Sequence, residues 1–181
     1  MAAIPSNMMP LGTKAPDFNL LDPAKGKMMS LDALKSDVAT VIMFICNHCP
    51  YVKHIKSELI QIASDYQSKG VVFIAINSND VANYPDDSPE KMQQEGYPFS
   101  YLFDETQAVA KAYQAACTPD LYVFDSELKC AYRGQLDDAR PRNDVPVNGK
   151  DIRAALDAIL ANKPVNPVQI PSIGCSIKWK M

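Results

Sequence analysis

The chain has 181 residues, 47% of them hydrophobic and 22% charged, which is typical of one globular domain with its own core. A net charge of −3 and a pI near 5.3, without any run of basic residues, argue against a protein that binds nucleic acid. Apolar runs fall short of the roughly 18 residues of a membrane span, and the N-terminus does not resemble a signal peptide, so we expect a cytoplasmic protein without membrane association.

The first third of the chain predicts an arm, a hairpin and a strand that leads into a helix. Residues 1–14 contain prolines and lack periodicity, which indicates a loose N-terminal arm. Ala15–Leu20 and Lys27–Ser30 flank a turn rich in Pro and Gly and predict a short hairpin. Val38–Ile45 is continuous, apolar and β-branched, which predicts a buried strand. Apolar residues three and four apart then predict a helix that begins at Pro50.

The rest of the chain alternates between short apolar strands and amphipathic helices. This order predicts parallel pairing first and an antiparallel edge later, hence an α/β fold with a mixed central sheet flanked by helices. Residues 163–181 have three prolines and no helical period, so we expect an extended C-terminal tail that packs on a domain of residues 15–162. The predicted segments are strands at Val71–Ile76, Phe99–Phe103, Leu121–Asp125 and Lys129–Arg133, and helices at Pro89–Glu95, Thr106–Ala116 and Ile152–Leu160.

The segment Cys46-Asn47-His48-Cys49-Pro50 stands at the predicted junction of strand and helix. The N-terminus of a helix carries unpaired N–H groups and a partial positive charge, which stabilise a thiolate and lower the pKa of a thiol there. Cys49 directly precedes Pro50, Cys46 ends the strand, and His48 adds positive charge when it is protonated. This arrangement predicts a redox-active pair of thiols, and the alternative is two packing cysteines in the core.

Thr118-Pro119 directly precedes an apolar strand, a place where proline is tolerated because it opens the strand. With these residues the chain resembles the thioredoxin superfamily and, more closely, the peroxiredoxin-like redoxins of the AhpC/TSA type that carry a CxxC pair. The resemblance covers about residues 14–162, and the tail after Gly174 is also similar. It depends on Ala15-Pro16-Asp17-Phe18, Cys46–Pro50, Thr118-Pro119, Leu121–Asp125 and Gly174–Trp179.

The resemblance implies a thioredoxin fold in which the Thr118–Pro119 bond is cis and lies beside the active cysteine. The backbone there pairs with an extended substrate, so we expect a substrate groove formed by Thr118, Pro119, His48 and Pro50. No bound cofactor and no metal are implied.

Two registers relate the cysteine pair to these families. In the thioredoxin register Cys46 attacks and Cys49 resolves. In the peroxiredoxin register Cys49 attacks, Val52 takes the place of the usual resolving cysteine, and Cys46 takes the place of a hydroxyl residue. We favour the second register because the start of a helix stabilises a thiolate at Cys49.

The sequence also departs from both families. The tryptophan that precedes the cysteine in thioredoxins is replaced by His48, and the peroxiredoxin hydroxyl residue is replaced by Cys46. Arg133, Arg140 and Arg142 are available, but none lies in a recognisable peroxiredoxin arginine motif. The charged loop that contains the last two arginines is a solvated face or a groove for a partner.

Three more cysteines lie outside the pair. Cys175, in the tail, is a candidate resolving thiol for Cys49 or a partner for Cys46, and the alternative is a packing residue. We expect Cys117 to be structural and assign no role to Cys130. An odd number of cysteines in a chain of this size favours reduced thiols over a disulfide framework.

The sequence therefore predicts an enzyme, a thiol–disulfide oxidoreductase or peroxiredoxin-like thiol peroxidase with an antioxidant role. Its catalytic residues are Cys49, Cys46 and Cys175, its substrates a protein disulfide, a small disulfide or a peroxide, and its partner an external thiol reductant. The alternative is a non-catalytic thioredoxin-fold module that binds a peptide or a metal. Thiolates and imidazole suit zinc or copper, and the residues for such a site are Cys46, Cys49, Cys175, and His48 or His54.

Overall fold

A computed structural model describes residues 2–181. The elements in chain order are β1 (Ala3–Pro5), β2 (Asn19–Asp22), β3 (Lys27–Ser30), α1 (Leu31–Leu34), β4 (Ala39–Phe44), α2 (Pro50–Gln67), β5 (Val71–Asn77), a 3₁₀ turn (Pro85–Asp87), α3 (Pro89–Gln94), β6 (Ser100–Phe103), α4 (Ala108–Ala112), β7 (Cys117–Thr118), β8 (Asp120–Phe124), β9 (Cys130–Gly134), α5 (Lys150–Leu160) and β10 (Ile173–Ser176). Among residues 2–181, no helix combines the length and the apolar character needed to cross a bilayer.

A seven-stranded mixed sheet in the order β3-β2-β6-β5-β4-β8-β9 forms the centre of the fold. Strands β4, β5 and β6 pair in parallel, and the hairpin β2–β3 and strands β8 and β9 pair antiparallel at the two edges. Two apolar clusters lie on the two faces, one beneath α2, α3 and α5 and the other beneath α1 and α4. The predicted α/β class with a mixed sheet and an N-terminal hairpin is confirmed.

Strand β4 and helix α2 together position the cysteine pair. All six residues of β4 are buried, because helices cover both faces of the sheet, and this explains its continuous apolar sequence. Helix α2 has Pro50 at its first position and Cys49 as its N-cap. Helix α2 ends at Gln67, and the turn that leads from it into β5 contains Gly70, whose φ of +88° is readily adopted only by glycine. The predicted junction between strand and helix is confirmed.

A second, three-stranded sheet in the order β1-β10-β7 joins the two ends of the chain. The expectation of a loose arm is wrong, because Ala3–Pro5 pairs with Ile173–Cys175 of the tail. Strand β10 also pairs with β7, and a Cβ on Gly174 would lie 2.0 Å from the carbonyl oxygen of Thr118. The sequence analysis did not predict β1 or β10, because the stability of these two strands comes from pairing between distant segments, which leaves no local period.

The helix predicted at Thr106–Ala116 is shorter in the structure and comprises only Ala108–Ala112. Gln107 and Gln114 adopt left-handed backbone angles, with φ of 65° and 58°, and these angles bound the helix. The side-chain amide of Gln107 donates to the carbonyl oxygens of Ser78 and Lys178, so tertiary contacts hold this conformation.

Candidate active site

The two cysteines of the pair lie together under the edge formed by β7. Cys49 is 0% exposed and Cys46 is 2% exposed. The thiol of Cys49 lies 3.2 Å from the carbonyl oxygen of Thr118, and the sulfur of Cys46 lies 3.5 Å from the hydroxyl oxygen of that residue. The Thr118–Pro119 bond is cis, as the resemblance implies. Thr118 therefore contacts both thiols of the pair.

The third thiol of this cluster is that of Cys175. In the pairing of β10 with β7, Cys175 lies opposite Thr118, the residue whose carbonyl oxygen accepts from the thiol of Cys49. All five cysteines are free and buried in this structure. The structure thus brings Cys46, Cys49 and Cys175 into one cluster around Thr118.

The pKa of Cys49 is lowered, chiefly because the thiol of Cys46 donates a hydrogen bond to its sulfur. Burial opposes this effect, and the hydroxyl of Thr118, the thiol of Cys175 and the main-chain N–H of Val52 add to it. The carbonyl of Thr118 favours the protonated form, since it accepts a hydrogen bond from the neutral thiol. We assign the thiolate to Cys49, because the donors outnumber this one acceptor and the N-terminus of α2 adds a positive potential.

The other two thiols of the cluster are held in the protonated form. The pKa of Cys46 is raised, first by its hydrogen bond to Cys49 and then by burial and by the negative charge of Asp87. Burial and the neighbouring Cys49 raise the pKa of Cys175 to about 11. One low-pKa sulfur flanked by two neutral thiols is an arrangement suited to disulfide formation.

His48 interacts with a carboxylate and not with the thiolate. Its Nδ1 lies 2.6 Å from Oδ2 of Asp87 and 3.9 Å from the sulfur of Cys46, and its ring stacks on Tyr84 at 5.5 Å between centroids. The expected positive charge beside the thiol of Cys49 is therefore offset by the fully buried Asp87. Pro50 is the first residue of α2, and Pro119 follows the cis peptide bond of Thr118.

Asp87 is the site residue that the sequence analysis missed. Its Oδ1 accepts the main-chain N–H groups of Asn47 and His48 at 2.8 and 3.2 Å, so it holds the segment between the two cysteines. Its Oδ2 also accepts from Asn79, whose Oδ1 accepts the main-chain N–H of Lys178 in the tail. The polar run that follows β5 was the available signal, but only the fold places Asp87 beside the cysteines.

One group near the pair has ligand atoms spaced for a metal ion. Atoms of Cys46, His48 and Asp87 lie within 4.8 Å of one another. Within the described part of the chain, Nε2 of His48 is buried without a hydrogen-bond partner. Cys49, Cys175 and His54 do not belong to this group, so the set differs from the metal site considered in the sequence analysis.

A cavity of about 300 Å³ opens beside the cluster and is lined by Pro50, Tyr51, Arg140, Pro141, Arg142 and Cys175. Two larger clefts, of about 650 and 670 Å³, do not include any of these three thiols. Arg133 lies elsewhere, bonded to the carbonyl of Met9 and to the side chain of Gln169. The charged loop therefore contributes Arg140 and Arg142 to the surroundings of the site.

Solved structures share this whole fold. An uncharacterized conserved protein from Geobacillus kaustophilus is 62% identical with a TM-score of 0.97, over 99% of this chain and 97% of that one. A hypothetical protein from Sinorhizobium meliloti 1021 is 47% identical with a TM-score of 0.94, over 97% and 98% of the two chains. A putative thiol:disulfide interchange protein DsbE from Chlorobium tepidum is 19% identical with a TM-score of 0.66, over 84% and 99%, and shows the thioredoxin fold alone.

A comparison with curated proteins finds no match. The family model described as the AhpC/TSA family matches residues 11–133, a range that contains the cysteine pair and Thr118-Pro119. The chain belongs to the AhpC/TSA family.

Proposed function

We propose that the protein is a thiol-dependent oxidoreductase in which Cys49 is the attacking thiolate and a neighbouring cysteine closes a disulfide. The observation that carries this proposal is the position of Cys49, the N-cap of α2, with Cys46 and Cys175 clustered beside it around Thr118. Membership of the AhpC/TSA family and the likeness to a putative thiol:disulfide interchange protein support a redox role.

With a hydroperoxide, the thiolate of Cys49 attacks one peroxide oxygen and breaks the O–O bond. The sulfur is oxidised to a sulfenic acid, and the other oxygen leaves with the electron pair and takes up a proton. The thiol of Cys46 or Cys175 then attacks this sulfur, a disulfide forms, and water leaves. An external thiol reductant restores the two thiols.

With a disulfide substrate, the same thiolate attacks one sulfur, forms a mixed disulfide and expels the other sulfur as a thiolate. A neighbouring thiol of the protein then releases the substrate and leaves an internal disulfide. The substrates proposed are a hydroperoxide, a small disulfide or a protein disulfide. The cytoplasmic location expected from the sequence stays a prediction.

The test is mass spectrometry of the reduced protein after one equivalent of hydrogen peroxide, with Cys46→Ser, Cys49→Ser and Cys175→Ser measured in parallel. We expect a fast loss of two hydrogens as one mapped disulfide that includes Cys49, and no such product in Cys49→Ser. If the protein reacts with hydrogen peroxide no faster than a free thiol does, hydroperoxides are excluded as substrates. Exchange with a model disulfide, followed by the same mass spectrometry, tests the reaction with disulfide substrates.

The second candidate is a metal-binding module, and the cluster of Cys46, His48 and Asp87 is the observation that favours it. A cysteine, a histidine and a carboxylate are ligands that zinc accepts. Zinc titration of the reduced protein, followed by calorimetry, separates the candidates, because stoichiometric binding that is lost in Cys46→Ser and kept in Cys175→Ser is expected if this cluster holds the ion. Absence of stoichiometric binding would remove the second candidate.

A further inference from the structure

The edge of β7 beside the cysteines is already occupied by the protein's own tail. A chain paired with β7 places one residue opposite Thr118, whose carbonyl oxygen lies 3.2 Å from the sulfur of Cys49, and Cys175 holds this position. Gly174 allows the close approach, and the hydroxyl of Ser172 donates to the carbonyl of Pro119 at 2.6 Å. A foreign extended chain therefore has no free edge here while β10 is docked.

Of the three clustered thiols, only that of Cys175 belongs to a residue that lines the 300 Å³ cavity. Cys49 is fully buried, Cys46 is 2% exposed, and neither residue lines this cavity. A small molecule in the cavity consequently meets Cys175 first.

The cavity is cationic. Within residues 2–181, neither Arg140 nor Arg142 has a carboxylate within ion-pair distance. Two acidic groups on the same loop are engaged elsewhere, since Asp137 accepts the main-chain N–H groups of Asn148 and Gly149 and Asp138 pairs with Lys150 at 2.8 Å. The third, Asp144, is exposed to solvent. The N-terminus of α2, which borders the cavity at Pro50, adds to the positive potential.

We propose that this cavity binds a small thiol that carries carboxylates, and that this thiol reduces a Cys49–Cys175 disulfide by attacking the sulfur of Cys175. The inference rests on the proposed function, because it requires that disulfide. Carboxylates are matched chiefly to Arg142, because the guanidinium of Arg140 already donates to the carbonyl oxygens of Asp137 and Ala139 and to Oε1 of Gln135.

The chemistry balances without any other reactant. The thiolate of the small molecule forms a bond to the sulfur of Cys175, the bond between Cys175 and Cys49 breaks, and the electron pair stays on Cys49. Attack in this direction is favoured because the thiol of lower pKa is the better leaving group. A second small thiol then attacks the mixed disulfide, a small-molecule disulfide leaves, and the thiolate of Cys175 takes up a proton.

The experiment uses the Cys46→Ser protein, which isolates the other two thiols and keeps a hydroxyl donor beside Cys49. The protein is oxidised with one equivalent of hydrogen peroxide and then reduced with glutathione, which carries carboxylates, or with mercaptoethanol, which is neutral. Acid-quenched samples are mapped by mass spectrometry. We expect the transient mixed disulfide on Cys175.

Charge variants added to this protein test the cavity. We expect Arg142→Gln to lower the ratio of the glutathione rate to the mercaptoethanol rate about fivefold, the order of one exposed charge interaction. Arg142→Lys, which retains the positive charge, is expected to retain most of this ratio of rates. Lys27→Gln, which removes one charge at the opposite edge of the seven-stranded sheet, leaves the ratio unchanged.

The outcomes separate the inference from the proposed function. If peroxide gives no disulfide, the peroxide branch of the function fails, and the same reductions are measured on protein oxidised with diamide. If neither oxidant links Cys49 to Cys175, or if glutathione is found on Cys49, the inference is overturned. If Arg142→Gln and Lys27→Gln give the same ratio of the glutathione rate to the mercaptoethanol rate, the proposed binding of a carboxylate-bearing thiol is overturned, while the redox function stays intact.

Discussion

Thr118 contacts Cys49 through its carbonyl oxygen, at 3.2 Å, while its backbone pairs with Cys175 on the neighbouring strand β10. One residue thus brings a thiol of the tail to a thiol at the start of α2. The C-terminal tail is consequently part of the candidate site and not an appendage of the domain.

We expect Cys49 to react as a thiolate at a pH below that of a free cysteine, whose pKa is about 8.5. The alkylation rate follows the thiolate fraction, so the lowered pKa of Cys49 moves the rise of the pH profile to lower pH. Cys46→Ala removes the main donor and moves the rise upward by about one pH unit, whereas Cys46→Ser keeps a donor and moves it less. Iodoacetamide labelling of Cys49, mapped by mass spectrometry, measures the profile. Identical profiles for the two variants would contradict the assigned donor.

Gly174→Ala is expected to loosen β10, because its Cβ would lie 2.0 Å from the carbonyl oxygen of Thr118. We expect a loss of about 1–3 kcal/mol in the free energy of unfolding and alkylation of native Cys49 and Cys175 about tenfold faster. Ile173→Ala, on the same strand but 37% exposed, is the matched control. Hydrogen exchange of the β10 amides reports the opening directly. Unchanged protection in Gly174→Ala would show that the strand accommodates the methyl group.

Asp87→Asn is expected to destabilise the loop between the two cysteines. The buried carboxylate accepts hydrogen bonds from Asn47, His48 and Asn79, and the amide of Asn cannot accept at both of its atoms. We expect a loss of about 2–3 kcal/mol by urea denaturation. Asp86→Asn is the control, since this neighbour is exposed and its ion pair with Lys91 contributes little. Equal effects of the two substitutions would argue against the role of Asp87.

Asp120 gives the protein a pH-dependent stability. Burial raises the pKa of Asp120 to about 7, against about 3.9 in an unfolded chain. Between these values the unfolded chain has lost this proton while the folded protein keeps it, so the contribution of Asp120 to stability falls as the pH rises from about 4 to about 7.

Asp120→Asn removes this dependence and keeps an acceptor for the main-chain N–H of Ala116. We expect the stability of the variant relative to the parent to improve by about 1–3 kcal/mol between pH 4.5 and pH 7.5. Urea denaturation of both proteins under reducing conditions at the two pH values gives the difference in their free energies of unfolding. The contributions of all other carboxylates cancel in this difference, because both proteins share them. A constant difference would show that Asp120 is ionised in the folded protein throughout this range.

Local sequence patterns were sufficient to predict the central sheet and the junction of strand and helix that holds the cysteine pair. The continuous apolar run of β4, the helical spacing of α2 and the proline at its first position are signals within one element, so the place of Cys46 and Cys49 followed from them. The resemblance supplied the cis bond at Thr118–Pro119, which no local signal of the chain indicates.

The sequence by itself determined the α/β class, the junction that holds the cysteine pair and the candidacy of Cys175. Only the tertiary structure decided that β1 and β10 form a second sheet, that Asp87 and not the thiolate engages His48, and that Arg142 and Cys175 share a cavity. These relationships join segments far apart in the chain. They depend on backbone pairing, buried charge and close packing, which leave no period in the sequence of either partner.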